Sequence, residues 1–147
     1  MAGRQGAAGG GGPAPSLGPP LAVVVHDLAQ ARACLEAAAR LGLAVELVSA
    51  DHVAAFAGVG FLRGVEERLG RSVIADCGDD AGLVMAALRA GLREVLFTGE
   101  ERVRPTLAEM AEVLGGRLRS RLGLPVLALE PGEDPARRLA ALIAGDS

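Results

Sequence analysis

Short apolar runs that alternate with helical patterns constrain the fold of this chain more than any other sequence feature. The first run, "LAVVV" at residues 21–25, is continuous and rich in β-branched residues, which is typical of a strand covered on both faces. Further runs of this kind lie at residues 45–49, 72–76, 94–98 and 125–130. Because helical patterns separate the runs, the sequence predicts parallel βαβ units.

The segments after the strands predict helices of unequal clarity. Helical patterns occupy residues 28–41, 52–70, 80–91, 106 onward, and 135 to about 145. Gly58 and Gly60 are expected to break the first part of the 52–70 segment into a loop or a separate turn. Residues 80–91 are apolar on most sides, which is typical of a buried helix or of one at a subunit interface. The helix that begins at Thr106 either stops at the Gly115-Gly116 pair or continues to about Leu122, where Arg117, Arg119 and Arg121 would spread over a solvated surface.

Five strands that alternate with five helices predict an α/β fold. We expect a three-layer sandwich with a five-stranded parallel sheet in an order such as 2-1-3-4-5, as in flavodoxin-like folds. A half-barrel fragment that pairs with a second copy is the alternative architecture. No internal repeat in the chain is strong enough to favour the half-barrel.

The first twenty residues differ in composition from the rest of the chain. They are mainly Gly, Ala and Pro and predict a disordered tail (residues 1–20) ahead of a single α/β domain (residues 21–147). The tail lacks the continuous apolar core of a signal peptide, and no apolar run approaches the about 20 residues that span a bilayer. We therefore expect a cytoplasmic protein with no membrane partner.

Composition excludes several functional classes. The net charge of −3 argues against a nucleic-acid partner, and the chain has neither Trp nor Tyr to stack on bases. All fifteen basic residues are Arg, which is typical of a GC-rich bacterial genome and excludes lysine-based Schiff-base and P-loop chemistry. A small molecule and a second copy of the chain, giving a homodimer, are the candidate partners.

Polar side chains collect where the predicted strands end. Ligands of open parallel sheets bind beyond the carboxyl ends of the strands. The candidate site residues there are His26, Asp27, His52, Asp76, Cys77 and Thr98. Imidazole and carboxylate suit zinc or a similar divalent ion, which is the candidate cofactor. The candidate metal ligands are His26, Asp27, His52 and Asp76; the alternative is that polar residues gather there only because the strands leave the core.

The acidic segment "DCGDD" at residues 76–80 divides into two parts. Asp79 or Asp80 is expected to cap the next helix, with Gly78 in the turn, whereas Asp76 ends the strand and is the acid available for a function. The acids at this helix N-terminus favour a cation over a phosphate. They also predict a raised pKa for Cys77, which makes its thiol a poor nucleophile.

The same strand ends resemble those of response-regulator receiver domains. An acid follows strand one, Asp76 ends strand three, Thr98 follows strand four, and Glu130 precedes Pro131 after strand five. The resemblance implies that Asp27 binds metal, that Asp76 is the phosphoacceptor and that Thr98 is the switch hydroxyl. The chain departs from the family where a histidine replaces one of the paired acids and where Glu130 replaces the family's lysine.

Two classes of function are consistent with these features. The first is a small-ligand- or metal-binding α/β domain of unknown specificity, with its site at the strand ends. The second is a non-catalytic, receiver-like interaction or signalling module that acts through dimerisation, with the apolar helix at residues 80–91 as its contact face. The sequence predicts no particular reaction and leaves open whether the protein is an enzyme.

Overall fold

A computed structural model describes residues 20–145 of the chain. The predicted disordered tail lies outside the described residues, apart from Pro20. The strands are β1 (Leu21–Val25), β2 (Val45–Ser49), β3 (Ala75–Asp76), β4 (Glu94–Leu96), β5 (Arg117–Arg119) and β6 (Val126–Ala128). The helices are α1 (Leu28–Leu41), α2 (Val53–Phe56), α3 (Val59–Leu69), α4 (Ala81–Arg89), α5 (Arg104–Val113) and α6 (Pro135–Ile143), with a short 3-10 helix at Glu101–Val103. None of these helices is both long enough and apolar enough to cross a membrane.

The first βαβ unit confirms the prediction. β1, α1 and β2 have the predicted bounds, and the two strands pair in parallel from Leu21 opposite Val45 to Val25 opposite Ser49. As expected from the glycines, residues 52–70 do not form one continuous helix, and the segment is divided into α2 and α3. The division lies at Gly58, whose φ of 97° is a backbone conformation that residues with a Cβ rarely adopt.

All strand pairs are parallel, as predicted, but they form two three-stranded sheets in the orders β2-β1-β6 and β3-β4-β5. The predicted five-stranded sheet in the order 2-1-3-4-5 is therefore wrong, because β1 lies beside β6 rather than β3. The two sheets meet at one bridge between Val48 and Ile74. The ladder stops there because the Asp76 N–H donates to the Ser49 hydroxyl, at 3.0 Å, instead of to a backbone carbonyl.

The extra strand, β5, lies where the sequence allowed a continuing helix. The chain turns at Gly115, with φ of 79°, and then passes close to its neighbours: a Cβ on Gly116 would lie 2.8 Å from Leu88 Cδ2. A helix to Leu122 is therefore wrong. The side chains of Arg117 and Arg119 do not spread around a helix but lie on one face of a strand, since they are two residues apart.

All six helices pack on one face of the sheets. Two buried clusters join them to alternate strand residues, among them Val23, Leu47 and Val95. The opposite face carries a third cluster, built on Ala22, Val48, Ile74 and Leu96, which contains no helical residue; we call it the helix-free face. The predicted three-layer sandwich is therefore wrong, because right-handed crossovers between successive neighbouring strands place their helices on the same side. A one-sided sheet is the arrangement of the half-barrel alternative, whose pairing with a second copy stays a prediction.

The covering segment, residues 120–125, joins β5 to β6 and closes part of the helix-free face. Leu122 and Leu124 within it pack against the cluster that includes Val48 and Ile74. Their burial contributes the hydrophobic stabilisation that helices supply on the other face. The covering segment therefore takes the place of a second helical layer.

Arg119, the last residue of β5, fixes the covering segment. Its Nη2 donates a hydrogen bond of 2.7 Å to the Leu122 carbonyl. Its Nη1 donates to Glu46 Oε1 at 3.0 Å and to Glu94 Oε1 at 3.3 Å. The Arg119 side chain is only 13% exposed, so its hydrogen bonds are partly protected from competition by water.

Replacement of this arginine tests its structural role. We expect Arg119→Met to lower the free energy of unfolding by about 2–3 kcal/mol, because two carboxylates and a carbonyl lose a charged donor. Arg121→Met is the matched control, since Arg121 is exposed, and should change the free energy by less than about 0.5 kcal/mol. Urea denaturation measures both variants, and equal losses would contradict the assigned role.

Candidate functional site

Three of the predicted site residues follow or end neighbouring strands at their carboxyl-terminal ends, and two of them, the histidines, lie close together. His26 follows β1, His52 follows β2, and Asp76 ends β3. The ring centroids of His26 and His52 are 6.1 Å apart. Asp51, next to His52, is close enough to Asp76 for its charge to contribute to raising the pKa of that carboxyl. We call His26, Asp51, His52 and Asp76 the rim.

His26 is held by the end of β6. Its Nε2 lies 2.7 Å from the Leu129 carbonyl oxygen, and because a carbonyl only accepts, Nε2 must carry the proton. The backbone N–H of His26 also donates to the side-chain oxygen of Gln30 at 2.8 Å. In the neutral ring, Nδ1 is therefore left as a hydrogen-bond acceptor.

His52 is oriented by the neighbouring carboxylate. Its Nδ1 lies 3.0 Å from Asp51 Oδ1, so Nδ1 carries the proton and Nε2 is the acceptor in the neutral ring. The His52 side chain is 56% exposed. The two imidazoles of the rim thus each have one nitrogen bound within the protein and one that can accept a hydrogen bond from a ligand.

Asp76 is the half-buried acid of the rim. Burial raises its pKa most, a hydrogen bond from the Gly78 N–H acts in the opposite direction, and the charge of Asp51 raises it further. The bond from Gly78 reaches Oδ1 at 3.0 Å. Asp76 is therefore a carboxylate whose charged form is disfavoured by its surroundings and would be stabilised by a cationic ligand.

Asp27 has a structural role that accounts for its position. Its Oδ1 accepts from the Gln30 N–H at 2.8 Å and caps α1. Gln30 itself is a residue that the sequence did not single out: it is 5% exposed, and its amide donates to the carbonyls of Glu130 and Glu133. Gln30 carries the only amide side chain of α1, and that was the available signal. Gln30 ties the end of β1 to the loop after β6 and so positions His26.

Both cysteines are buried and unreactive. Cys77 packs in the core with Phe97 and Val84, and burial, followed by the charges of Asp76 and Asp80, raises the pKa of its thiol to about 12. The predicted direction of this shift is confirmed, although burial and not like charge is its largest cause. Burial likewise raises the pKa of Cys34 to about 11. Neither thiol supplies a thiolate near neutral pH.

Thr98 follows β4 and is joined to Gly78, the residue whose N–H donates to Asp76. Thr98 is exposed, and its backbone N–H donates to the Gly78 carbonyl at 2.8 Å. Its predicted part in ligand binding stays a prediction.

The predicted metal ligands do not form a coordination site. Across residues 20–145, no group of three or more His, Cys, Asp or Glu side chains is arranged to hold a metal ion. Asp27, one of the four predicted ligands, is engaged in capping α1. What the structure brings together is the pair of imidazoles, with Asp51 hydrogen-bonded to His52 and Asp76 within reach of the Asp51 charge.

Two phenylalanines lie beside the rim, and the sequence did not indicate them. Phe56 is 86% exposed, and its ring contacts the His52 ring with centroids 6.2 Å apart. Phe61 lines a cavity of about 10 Å³ that reaches His26, and also a larger groove of about 270 Å³ bordered by Leu28 and Val65. An apolar surface therefore adjoins the polar rim.

The acidic turn after β3 offers a matched pair for testing helix capping. Asp80 caps α4 by accepting from the Leu83 N–H at 3.0 Å, whereas Asp79 is exposed and is not the capping residue. We expect Asp80→Ala to lower the free energy of unfolding by about 1 kcal/mol and Asp79→Ala to leave it nearly unchanged. Chemical denaturation measures the free energy of unfolding of both variants. A larger loss of this free energy for Asp79→Ala would show that the cap is misassigned.

The raised pKa of Asp76 predicts how stability depends on pH. A carboxyl whose pKa is higher in the folded state stabilises the fold below its unfolded pKa, and this contribution is lost as the pH rises through the folded pKa. Asp76→Asn removes the buried charge, so we expect its Tm to exceed that of the parent protein at pH 7. The difference should shrink as the pH falls through the folded pKa of Asp76 and vanish well below about pH 4, where Asp76 is protonated in both states.

Asp79→Asn is the control for this measurement, because Asp79 is exposed on the same turn. A Tm for Asp76→Asn below that of the parent at pH 7 would contradict the cost assigned to the buried carboxylate.

Comparisons with known proteins gave no match for this chain among family models, curated proteins or solved structures. The resemblance to receiver domains is not tested by these comparisons and stays a prediction.

Proposed function

We propose that the protein binds a small ligand that carries a protonated amine, and that the rim holds the amine. The observation that carries this proposal is the imidazole pair: two rings with centroids 6.1 Å apart, each bound through one nitrogen so that the other remains an acceptor. An ammonium group has three donors and no acceptor. Two imidazole nitrogens and the carboxylate of Asp76 are acceptors of matching chemistry.

The charge of the rim supports a cationic ligand. Asp51 is near enough to Asp76 for its charge to disfavour ionisation of Asp76, and no arginine forms an ion pair with either of them within residues 20–145. A bound ammonium would relieve this repulsion, since an opposite charge within a few Å favours the ionised carboxyl. An anionic ligand would add to it.

The apolar surface beside the rim supports a ligand with an apolar portion. Phe56 and Phe61 are two of the three phenylalanines in the chain, and both are exposed. The groove of about 270 Å³ next to Phe61 suits a ring or short hydrocarbon chain. An exposed aromatic face can also attract the cation itself. We therefore expect an aralkyl amine to bind better than an amine without an apolar part.

The alternative of an interaction module finds less support. The apolar helix proposed as its contact face, α4, buries Val84, Ala87 and Leu88 in the core of the same chain. These side chains therefore pack within the chain and are not free for a partner. Dimerisation stays a prediction, and no contact of the described residues with a second copy supports it.

Histidine NMR tests the proposed function, because the chain contains only two histidines. We expect phenethylamine to shift the ring signals of both His26 and His52 in ¹H–¹³C spectra, with saturation. Phenylacetate, which has the same ring and the opposite charge, should shift neither. Zinc chloride in a parallel titration tests binding of a divalent metal.

A matched pair of variants identifies the binding carboxylate. Asp76→Asn should weaken phenethylamine binding by about tenfold or more, since it removes a charged hydrogen-bond acceptor, whereas Asp79→Asn should bind as the parent does. The proposal fails if phenylacetate shifts the histidines as phenethylamine does, or if Asp76→Asn binds the amine with unchanged affinity. Saturable shifts with zinc alone would identify the ligand as a metal ion instead.

A further inference from the structure

A second polar site lies at the other end of the strands. Glu46, Glu94 and Arg117 lie at or next to the first residues of β2, β4 and β5, and Glu94 pairs in register with Arg117. Arg71 and Ser72, from the turn before β3, complete the lining of a cavity of about 230 Å³ that opens to solvent. We call it the amino-end cavity.

Positive charge is in excess in the amino-end cavity. Three guanidinium groups, of Arg71, Arg117 and Arg119, line it together with two carboxylates, of Glu46 and Glu94. Arg119 donates hydrogen bonds to both carboxylates. With Arg71 and Arg117, three positive charges line the cavity beside two negative charges.

Hydrogen-bond donors of these residues remain available to a ligand. The Arg117 side chain is exposed, and its guanidinium group makes no hydrogen bond or ion pair with any other residue in the range 20–145. Arg71 donates through Nη2 to the Val45 carbonyl at 2.7 Å. This bond holds the guanidinium group at the cavity, and its other N–H groups remain as donors for a ligand. Ser72, also exposed, adds a hydroxyl group.

We propose that the amino-end cavity binds a small anion that carries a phosphate group. A guanidinium group binds phosphate through two parallel hydrogen bonds, and donors from two separate segments match the several oxygens of one tetrahedral group. The volume is below the about 300–1,000 Å³ of pockets that enclose drug-sized ligands, so the ligand has few atoms besides its phosphate. This site shares no residue with the rim and is independent of the proposed function.

Inorganic phosphate is the probe for this site. At constant ionic strength, set with sodium chloride, we expect phosphate to raise the Tm with saturation, because it binds the folded state. Arg117→Gln should weaken binding by about tenfold or more, since charged hydrogen bonds are lost. Arg121→Gln is the matched control: Arg121 is an exposed arginine of the same segment that does not line the cavity, and its variant should bind as the parent does.

Several results would overturn the proposal. These are equal stabilisation by chloride and phosphate, equal affinities of Arg117→Gln and Arg121→Gln, and equal affinities for succinate and phosphate. If circular dichroism shows that Arg117→Gln does not fold, Arg71→Gln replaces it, with the same expected loss and the same contradicting result. Asp76→Asn should bind phosphate normally while losing the amine, so the two proposals fail separately.

Discussion

The helix-free face depends on the hydrogen bonds that the guanidinium group of Arg119 donates. This group joins Glu46 of β2 and Glu94 of β4, and it holds the Leu122 carbonyl of the covering segment. Parallel sheets normally require apolar cover on both faces, and here every described helix packs on one of them. Part of the other face is covered by Leu122 and Leu124, and Arg119 hydrogen-bonds the backbone of the segment that carries them. One charged side chain thus ties the covering segment to both sheets on the face without helices.

The two ends of the sheet have opposite electrostatic character, and the topology explains why. Parallel strands place all their carboxyl ends at one edge and all their amino ends at the other. The first edge carries Asp51 and Asp76 with the two imidazoles, and the second carries three arginines with two glutamates. A cation is therefore favoured at one end and an anion at the other. The two sites share no residue, so substitutions at one site should leave the other intact.

The sequence predicted those parts of the fold that local patterns determine. β1, α1 and β2 have apolar runs and helical spacing without competing signals. β5 could not be predicted for two reasons. Its charged residues, Arg117 and Arg119, interrupt the apolar run that is typical of a strand, and its pairing with β4 is a long-range contact. The predicted sheet order was wrong because β1 pairs with β6 rather than with β3, and the predicted single sheet was wrong because the Ser49 hydroxyl takes the Asp76 N–H and leaves one bridge between two sheets. Such a choice between hydroxyl and carbonyl has no signal in the sequence.

The candidate site, like the fold, was predictable from the sequence only in part. The proximity of His26 and His52 followed from the rule that ligands bind beyond parallel strand ends, whereas the contact of Phe56 with His52 depends on the short helix α2, which the sequence did not predict.

The central claim, that the covering segment closes the helix-free face, is tested most directly by methyl NOEs. We predict cross-peaks from Leu122 and Leu124 to Val48 and Ile74. Cross-peaks to helical residues such as Leu139, or no contact with the sheet, would contradict this account.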